Sequence, residues 1–312
     1  MRKALVVGGS GFLGSHVADA LTAAGISVRL LDLVSSPYRS SDQEMVVGDF
    51  TDERAVERAM KGCDVVYNFA GLSDLDEAQS KPAETVRSNI LGNVVLLNAA
   101  REAGVTRYVF ASTIYVYSQA GGFYRCSKQA CELYVEEYQR RYGVDYTILR
   151  YGTVYGRRAT ERNSVHRYLK QALVEGCVVG YGKGSEIREY IHVTDAARSS
   201  VHILEEAFKN EHAILTGPSG MRLVDFLEMI REIVGPEVQV ELRDPDTRSD
   251  SEGPMGHYSI TPYTFRPKLG RKLVDSSYVD LGQGLLDCLE EIHEQSSRAD
   301  VREKVPASKH SR

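Results

Sequence analysis

Two residues near the middle of the chain, Tyr124 and Lys128, stand four apart as Y-x-x-x-K. On a helix that spacing puts both on one face. There an ammonium favours the tyrosinate and draws the phenol toward working pH, so the tyrosine can carry a hydroxyl proton. The spacing is common, and an isolated match reads as a core tyrosine beside a surface lysine. A second constellation adds weight. Near the N-terminus, VVGGSGFLG sets Gly8, Gly11 and Gly14 as G-x-x-G-x-x-G. Gly8 permits a tight turn, Gly11 lets backbone approach a pyrophosphate, and Gly14 lets a helix pack on a strand. The helix N-terminus offers unpaired N–H groups and a positive dipole end. Asp32 ends the next apolar run, about 20 residues on, where a carboxylate accepts both ribose hydroxyls of an adenosine and repels a 2′-phosphate. These features point to NAD rather than NADP; the bland alternative is a turn and a surface aspartate. Arg39 is poorly spaced for a phosphate contact. A phenolate beside NAD could take a sugar hydroxyl's proton while NAD takes the hydride.

Residues at these positions need a scaffold. Apolar runs at 5–7, 28–31, 45–47, 65–69, 107–111 and 146–150 read as strands buried on both faces. Helical stretches at 12–24, 52–61, 82–103 and 124–141 alternate with them. Alternation of this kind builds an α/β, Rossmann-type doubly wound parallel sheet. Later helices are predicted near 164–175, 195–208, 222–234 and 279–294, consistent with a smaller C-terminal α/β substrate-binding domain. The division is 1–160 for the dinucleotide-binding domain and 161–295 for the substrate domain, with segments partly interleaved. Residues 243–256 read as a loop, and 296–312 as a disordered tail.

The bulk numbers exclude several classes. The 312 residues carry a formal net charge of −5, so there is no basic field for nucleic acid. No apolar run is long enough to cross a bilayer, and the first one leads into glycines rather than a cleavage site. The five cysteines (Cys63, Cys126, Cys131, Cys177, Cys288) are scattered, which suggests free thiols in a reducing cytoplasm and no metal site.

A series of ordered landmarks then gives a family resemblance: GGSGFLG, Asp32, GDFTD (48–52), NFAG (68–71), NILGN (89–93), FASTIYVY (110–117), YRCSK (124–128), LRYGTVYG (149–156) and REYIHVTD (188–195). Over roughly residues 1–235 the chain resembles the extended short-chain dehydrogenase/reductase family, in its nucleotide-sugar epimerase and dehydratase branch. The resemblance implies that Thr113 hydrogen-bonds the reacting sugar oxygen, Tyr124 is the acid/base, and Lys128 holds the nicotinamide ribose. It also implies a cofactor groove of Gly8, Gly11, Phe12, Leu13, Asp32, Asp49, Phe50, Phe69, Ala70, Gly71, Asn89 and Tyr151. Arg188 matches an arginine that pairs with the substrate diphosphate, a task that suits a guanidinium. His192 is expected to make a structural hydrogen bond. A homodimer through the helices near 82–103 and 124–141 is implied as well.

Departures from the family narrow the reading. Dehydratases of this branch carry an Asp-Glu pair after the catalytic Thr, where this chain has Ile114 and Tyr115. Only ten residues separate Thr113 from Tyr124, fewer than in most relatives. Thr153 replaces an asparagine that many relatives set against the substrate. Tyr115 either supplies a second acid/base or fills the space left by the short loop. Arg266, in the segment 257–273, is a candidate phosphate contact; the alternative is that this segment packs the small domain's core. The leading reading is NAD-dependent epimerisation of a UDP-hexose or UDP-uronic acid through a transient ketone. The alternatives are a one-way 4-keto-sugar reductase or dehydrogenase, and a catalytically silent dinucleotide sensor.

Overall fold

The computed structural model describes residues 2–118, 120–218, 220–243 and 270–303, with side chains to 297. Thirteen strands are present among them: β1 (Lys3–Val7), β2 (Ser27–Asp32), β3 (Gln43–Val47), β4 (Val65–Asn68), β5 (Arg107–Thr113), β6 (Tyr146–Tyr151), β7 (Thr153–Tyr155), β8 (Cys177–Tyr181), β9 (Ile187–His192), β10 (Glu211–Leu215), β11 (Gly220–Arg222), β12 (Gln239–Arg243) and β13 (Arg271–Lys272). The helices are α1 (Phe12–Ala23), α2 (Glu53–Met60), α3 (Leu75–Ser80), α4 (Pro82–Thr85), α5 (Gly92–Glu102), α6 (Gly122–Tyr142), α7 (Ser164–Lys170), α8 (Val193–His202), α9 (Leu223–Val234) and α10 (Leu281–Glu303).

The main sheet has eight strands in the order β13-β10-β6-β5-β4-β1-β2-β3. Every pairing in it is parallel. The order reverses beside β1, which places a crevice at the carboxyl ends of the strands. Alternation explains the two layers. Leu5 and Val7 of β1 face a core that includes Met60 of α2, Leu96 of α5 and Val135 of α6. Ala4 and Val6 face the other side, with Val17 of α1 and Ala196 of α8. Burying each Leu or Val contributes about 1.5–3 kcal/mol, so a one-residue slip of register would be heavily penalised.

A third core joins Tyr168, Leu169, Phe226, Leu227, Leu285 and Ile292 of the C-terminal half. Two small sheets, β11-β9-β7 and β12-β8, frame it. The later chain also returns to the main sheet through β10 and β13.

Three local differences from the sequence reading stand out. The stretch 82–103 is helical through Glu102 as expected, but Val86–Leu91 is a π-helical turn between α4 and α5. The helix expected near 195–208 ends at His202 and is succeeded by a separate 3₁₀ turn, Glu206–Phe208. The tail expected from 296 is instead helical to Glu303, as part of α10. Residues 244–256 of the expected loop lie outside the described residues.

Candidate active site

The glycine turn between β1 and α1 has the geometry a pyrophosphate needs. Gly8 has φ +79°, and a Cβ there would lie 2.9 Å from the Ala70 nitrogen. A Cβ on Gly14 would lie 2.2 Å from the Gly8 carbonyl oxygen, so only glycine lets α1 begin here. No side chain caps α1 and no acid stands in its first turn, so the Phe12 and Leu13 amides can meet an anion, while the Gly11 amide donates to the Gly8 carbonyl at 3.1 Å.

Asp32 ends β2 alongside this turn. Its Oδ2 accepts from the Ser10 amide at 2.9 Å and its Oδ1 from the Leu33 amide at 2.7 Å, fixing the carboxylate at the groove edge. Leu33 and Val34 beside it are exposed and form an apolar lip that the sequence reading had not singled out. Asp49 is spent locally: its Oδ1 accepts from the Thr51 amide and hydroxyl, both at 2.8 Å. Phe50 packs on Gly92 of α5, where a Cβ would come within 2.3 Å of the ring.

Phe69, Ala70 and Gly71 come directly after β4 and face the glycine turn. The Phe69 ring stacks on Tyr67 with centroids 6.1 Å apart and lies 6.4 Å from Tyr151. The Tyr151 hydroxyl shares a 2.6 Å hydrogen bond with Ser200 of α8. Asn89 staples this wall. Its Oδ1 accepts from the Leu72 amide at 2.7 Å, and its Nδ2 donates to the Leu72 carbonyl at 3.0 Å and the Ser127 hydroxyl at 2.8 Å. The groove residues therefore come together, with Asn89 committed to shaping the loop.

Thr113 ends β5, and its oxygen accepts from the Tyr115 amide at 3.3 Å, capping the 3₁₀ turn Ile114–Tyr117. Its hydroxyl also lies close enough to the Tyr124 phenol to oppose the effect of burial on it. Tyr124 is in the first turn of α6 and Lys128 one turn on, so the three expected catalytic residues meet. Lys128 is buried; its Nζ donates to the Ala111 carbonyl at 2.8 Å and lies 5.7 Å from the centroid of the Tyr124 ring.

In one respect the geometry departs from expectation. Burial pushes the Tyr124 phenol up to about 12, while the Thr113 hydroxyl works the other way. Lys128, itself shifted down by burial, sits over the ring face rather than at the hydroxyl. In the chain alone the ammonium does not draw the tyrosine toward neutral pH, and burial dominates its shift.

The short loop is accommodated by two glycines. Gly121 has φ +92°, and a Cβ there would lie 2.9 Å from the Tyr115 ring. Tyr115 is buried, with its ring edge-on to Tyr124 at 6.4 Å. Arg125 of α6 donates to the Ser118 carbonyl at 2.8 Å and Gln129 to the Val116 carbonyl at 2.9 Å, which holds the turn on the helix.

Arg188, on β9, is 1% exposed. Its Nη1 is 3.4 Å from the Tyr168 hydroxyl, and its Nε and Nη2 have no hydrogen-bond partner among the described residues. A buried guanidinium with open donors suits an anionic ligand. Thr153 pairs with Tyr190, two residues from Arg188 on β9. His192 caps α8, its Nδ1 accepting from the Thr194 amide at 3.4 Å, the structural role expected of it. Arg266 lies outside the described residues. The sequence reading missed a buried cluster of Ser112, Glu132, Arg150 and Tyr117; only the four-residue step from Lys128 to Glu132 signalled it. Among the described residues there is no cluster of His, Cys, Asp or Glu that could hold a metal, all five cysteines are free, and no helix is long and apolar enough to cross a membrane.

Comparison with known proteins agrees with this geometry. The profile of the NAD dependent epimerase/dehydratase family matches residues 4–216. A UDP-glucose 4-epimerase of Corynebacterium glutamicum is 28% identical over 274 residues, 77% of this chain and 83% of that protein. A dTDP-glucose 4,6-dehydratase of Mycobacterium tuberculosis is also 28% identical, over 86% of this chain and 87% of its own length. Among solved structures, the Thermus thermophilus UDP-glucose 4-epimerase complex with NAD superposes with a TM-score of 0.77 at 25% identity, covering 94% of this chain and 99% of that one. With a glycine turn opening α1, an aspartate anchored beside it at the end of β2, and Thr113 of β5 near Tyr124 and Lys128 of α6, this chain belongs to the NAD dependent epimerase/dehydratase family.

Proposed function

We propose that the protein is a nucleotide-sugar epimerase acting through a transient ketone, with a UDP-hexose or UDP-uronic acid as substrate. The observation that carries this reading is the pair of residues next to Thr113. Ile114 and Tyr115, both buried, stand where water elimination requires a carboxylic acid. Without an acid to protonate the departing hydroxyl, water loss is disfavoured, which leaves reduction back to an alcohol as the outlet for a hexose ketone.

The chain's residues divide the work. Tyr124 accepts the proton of the sugar hydroxyl and returns it. Thr113 donates to the reacting oxygen and keeps it in line with Tyr124. Lys128, with its ammonium held by Ala111, orients the ribose and favours the phenolate once the pocket is loaded. Arg188 meets the diphosphate with its open Nε and Nη2, and Thr153 lies nearby on β7. NAD, when bound, would supply a reversible hydride acceptor and a positive charge beside Tyr124. Gly8, Gly11, Phe12, Leu13 and Asp32 hold it, with Phe69, Ala70 and Gly71 along the wall. Tyr115 packs under Gly121 as a filler of the shortened loop.

The experiment is a panel of UDP- and dTDP-sugars incubated with the purified protein and read by proton NMR. Interconversion of two epimers with NAD still bound at the end supports the reading. Loss of water from a sugar, or consumption of added reduced cofactor with each turnover, overturns it.

We further propose a homodimer through the outer faces of the π-helical turn and α6. Val86, Leu91, Leu133 and Tyr134 are exposed there, an apolar surface that a two-fold partner would cover.

A further inference from the structure

Behind the catalytic pair lies a buried polar cluster that the proposed reaction does not use. Tyr124, Lys128 and Glu132 recur every four residues and so share a face of α6. The Glu132 Oε1 accepts from the Ser112 hydroxyl at 2.5 Å and from Arg150 Nε at 3.0 Å, and its Oε2 accepts from Arg150 Nη2 at 2.6 Å. Arg150 Nη1 donates to the Tyr117 hydroxyl. Arg150 is 0% exposed, Ser112 4% and Glu132 5%. One carboxylate therefore joins four elements: β5 just before Thr113, the turn just after it, α6 and β6.

We propose that Glu132 is a positioning residue: clamped by Ser112 and Arg150, it locks the face of α6 that carries Tyr124 and Lys128 to the end of β5 that carries Thr113. A buried ion pair adds little net stability over apolar packing, because desolvating two charges offsets their attraction. What this pair supplies is directional, since the fork of Arg150 and the single Ser112 hydroxyl admit one placement of the carboxylate. The approach of the Thr113 hydroxyl to the Tyr124 phenol spans the same two elements and depends on the same spacing. Glu132 also brings negative charge one turn from Lys128, which favours its ammonium against the burial that opposes it.

The inference rests on Tyr124 being the proton carrier, and its test has one readout that needs no substrate. Ser112→Ala removes the link to β5 and leaves the Glu132–Arg150 pair in place; Glu132→Gln removes the charge. Both are compared with the parent and with Met60→Ala, a core truncation in α2 that lowers stability far from the site. The readouts are kcat, KM, bound NAD and the ¹³Cζ tyrosine resonance that Tyr124→Phe deletes. Both variants are expected to lose roughly 10–100-fold in kcat. KM and bound NAD should hold, the Tyr124 resonance should move, and Met60→Ala should change neither kcat nor resonance. Glu132→Asp, which keeps the charge, should recover part of the rate. An unmoved resonance with parental kcat in Ser112→Ala overturns the proposal, as does a change confined to KM. If Glu132→Gln does not fold, Ser112→Ala decides alone. If the parent turns over no nucleotide sugar, the proposed activity fails while the resonance still decides the positioning role.

Discussion

The guanidinium of Arg188 lies buried with the Tyr168 hydroxyl, 3.4 Å away, as its hydrogen-bond partner among the described residues. A charge so placed fits the proposed role of meeting the substrate's diphosphate. Arg188→Met should therefore leave the melting temperature unchanged or raise it, since an unpaired buried charge is costly. It should also weaken nucleotide-sugar binding by about 1.5–3 kcal/mol, the worth of charged hydrogen bonds. Calorimetric titration of both proteins checks this. Equal affinities would remove Arg188 from the substrate site.

Tyr124→Phe deletes one hydroxyl and should reduce turnover by about 10²–10⁴-fold with NAD still bound. Thr113→Val should cost less, because the proton carrier remains. Lys128→Met should harm both rate and NAD retention. As the phenol is pushed up to about 12 in the chain alone, kcat/KM should climb with pH through the neutral range. The rise should move to higher pH in Lys128→Met. Near-parental turnover by Tyr124→Phe would shift the proton's route to Tyr115.

Cofactor choice should depend on Asp32. The unaltered protein is expected to bind NAD more tightly than NADP, by fluorescence titration, because the carboxylate repels a 2′-phosphate. Asp32→Ala should narrow that difference. It should also cost about 1 kcal/mol of stability by stranding the Ser10 and Leu33 amides. Tighter NADP binding by the parent would refute the assignment.

Alkaline stability should fall in two stages. Burial pushes the Cys131 and Cys288 thiols up to about 12 and the Tyr67 and Tyr108 phenols well above their ordinary range. Above about pH 8.5 the unfolded thiols release protons that the folded ones keep, and above about pH 10 the unfolded phenols do the same. The folded state then binds more protons, so stability declines as pH rises, by about 1.4 kcal/mol per pH unit for each such group. Lys128 works in the opposite direction below its unfolded value, because burial lowers its pKa. Urea midpoints from pH 7 to 11 should show a decline that steepens near pH 10; a flat profile would contradict it.

Leu133→Glu on the exposed face of α6 should convert the proposed dimer to monomer without unfolding it. Sedimentation of parent and variant at micromolar concentration distinguishes them. A parent that already sediments as a monomer would refute the dimer.

Short-range order made much of this protein legible in its residues. Gly8, Gly11 and Gly14 sit within one turn, Asp32 closes the next strand, and Tyr124 and Lys128 share a helix face. Each signal spans a few residues, where backbone geometry alone decides the outcome. Two-sided apolar runs likewise announced the parallel sheet.

Tertiary structure decided the rest. Ser112 meets Glu132 across 20 residues, Asn89 meets Ser127 across 38 and Tyr151 meets Ser200 across 49. Such pairings depend on strand order and helix register, which no local period encodes. The same holds for β10 and β13, short segments that become sheet strands only because β6 offers an edge to β10, and β10 in turn to β13. It holds for the phenol of Tyr124 as well. The four-residue spacing predicted an ammonium drawing it down, but how far water is excluded from that pocket is set by every element around it, and desolvation prevailed.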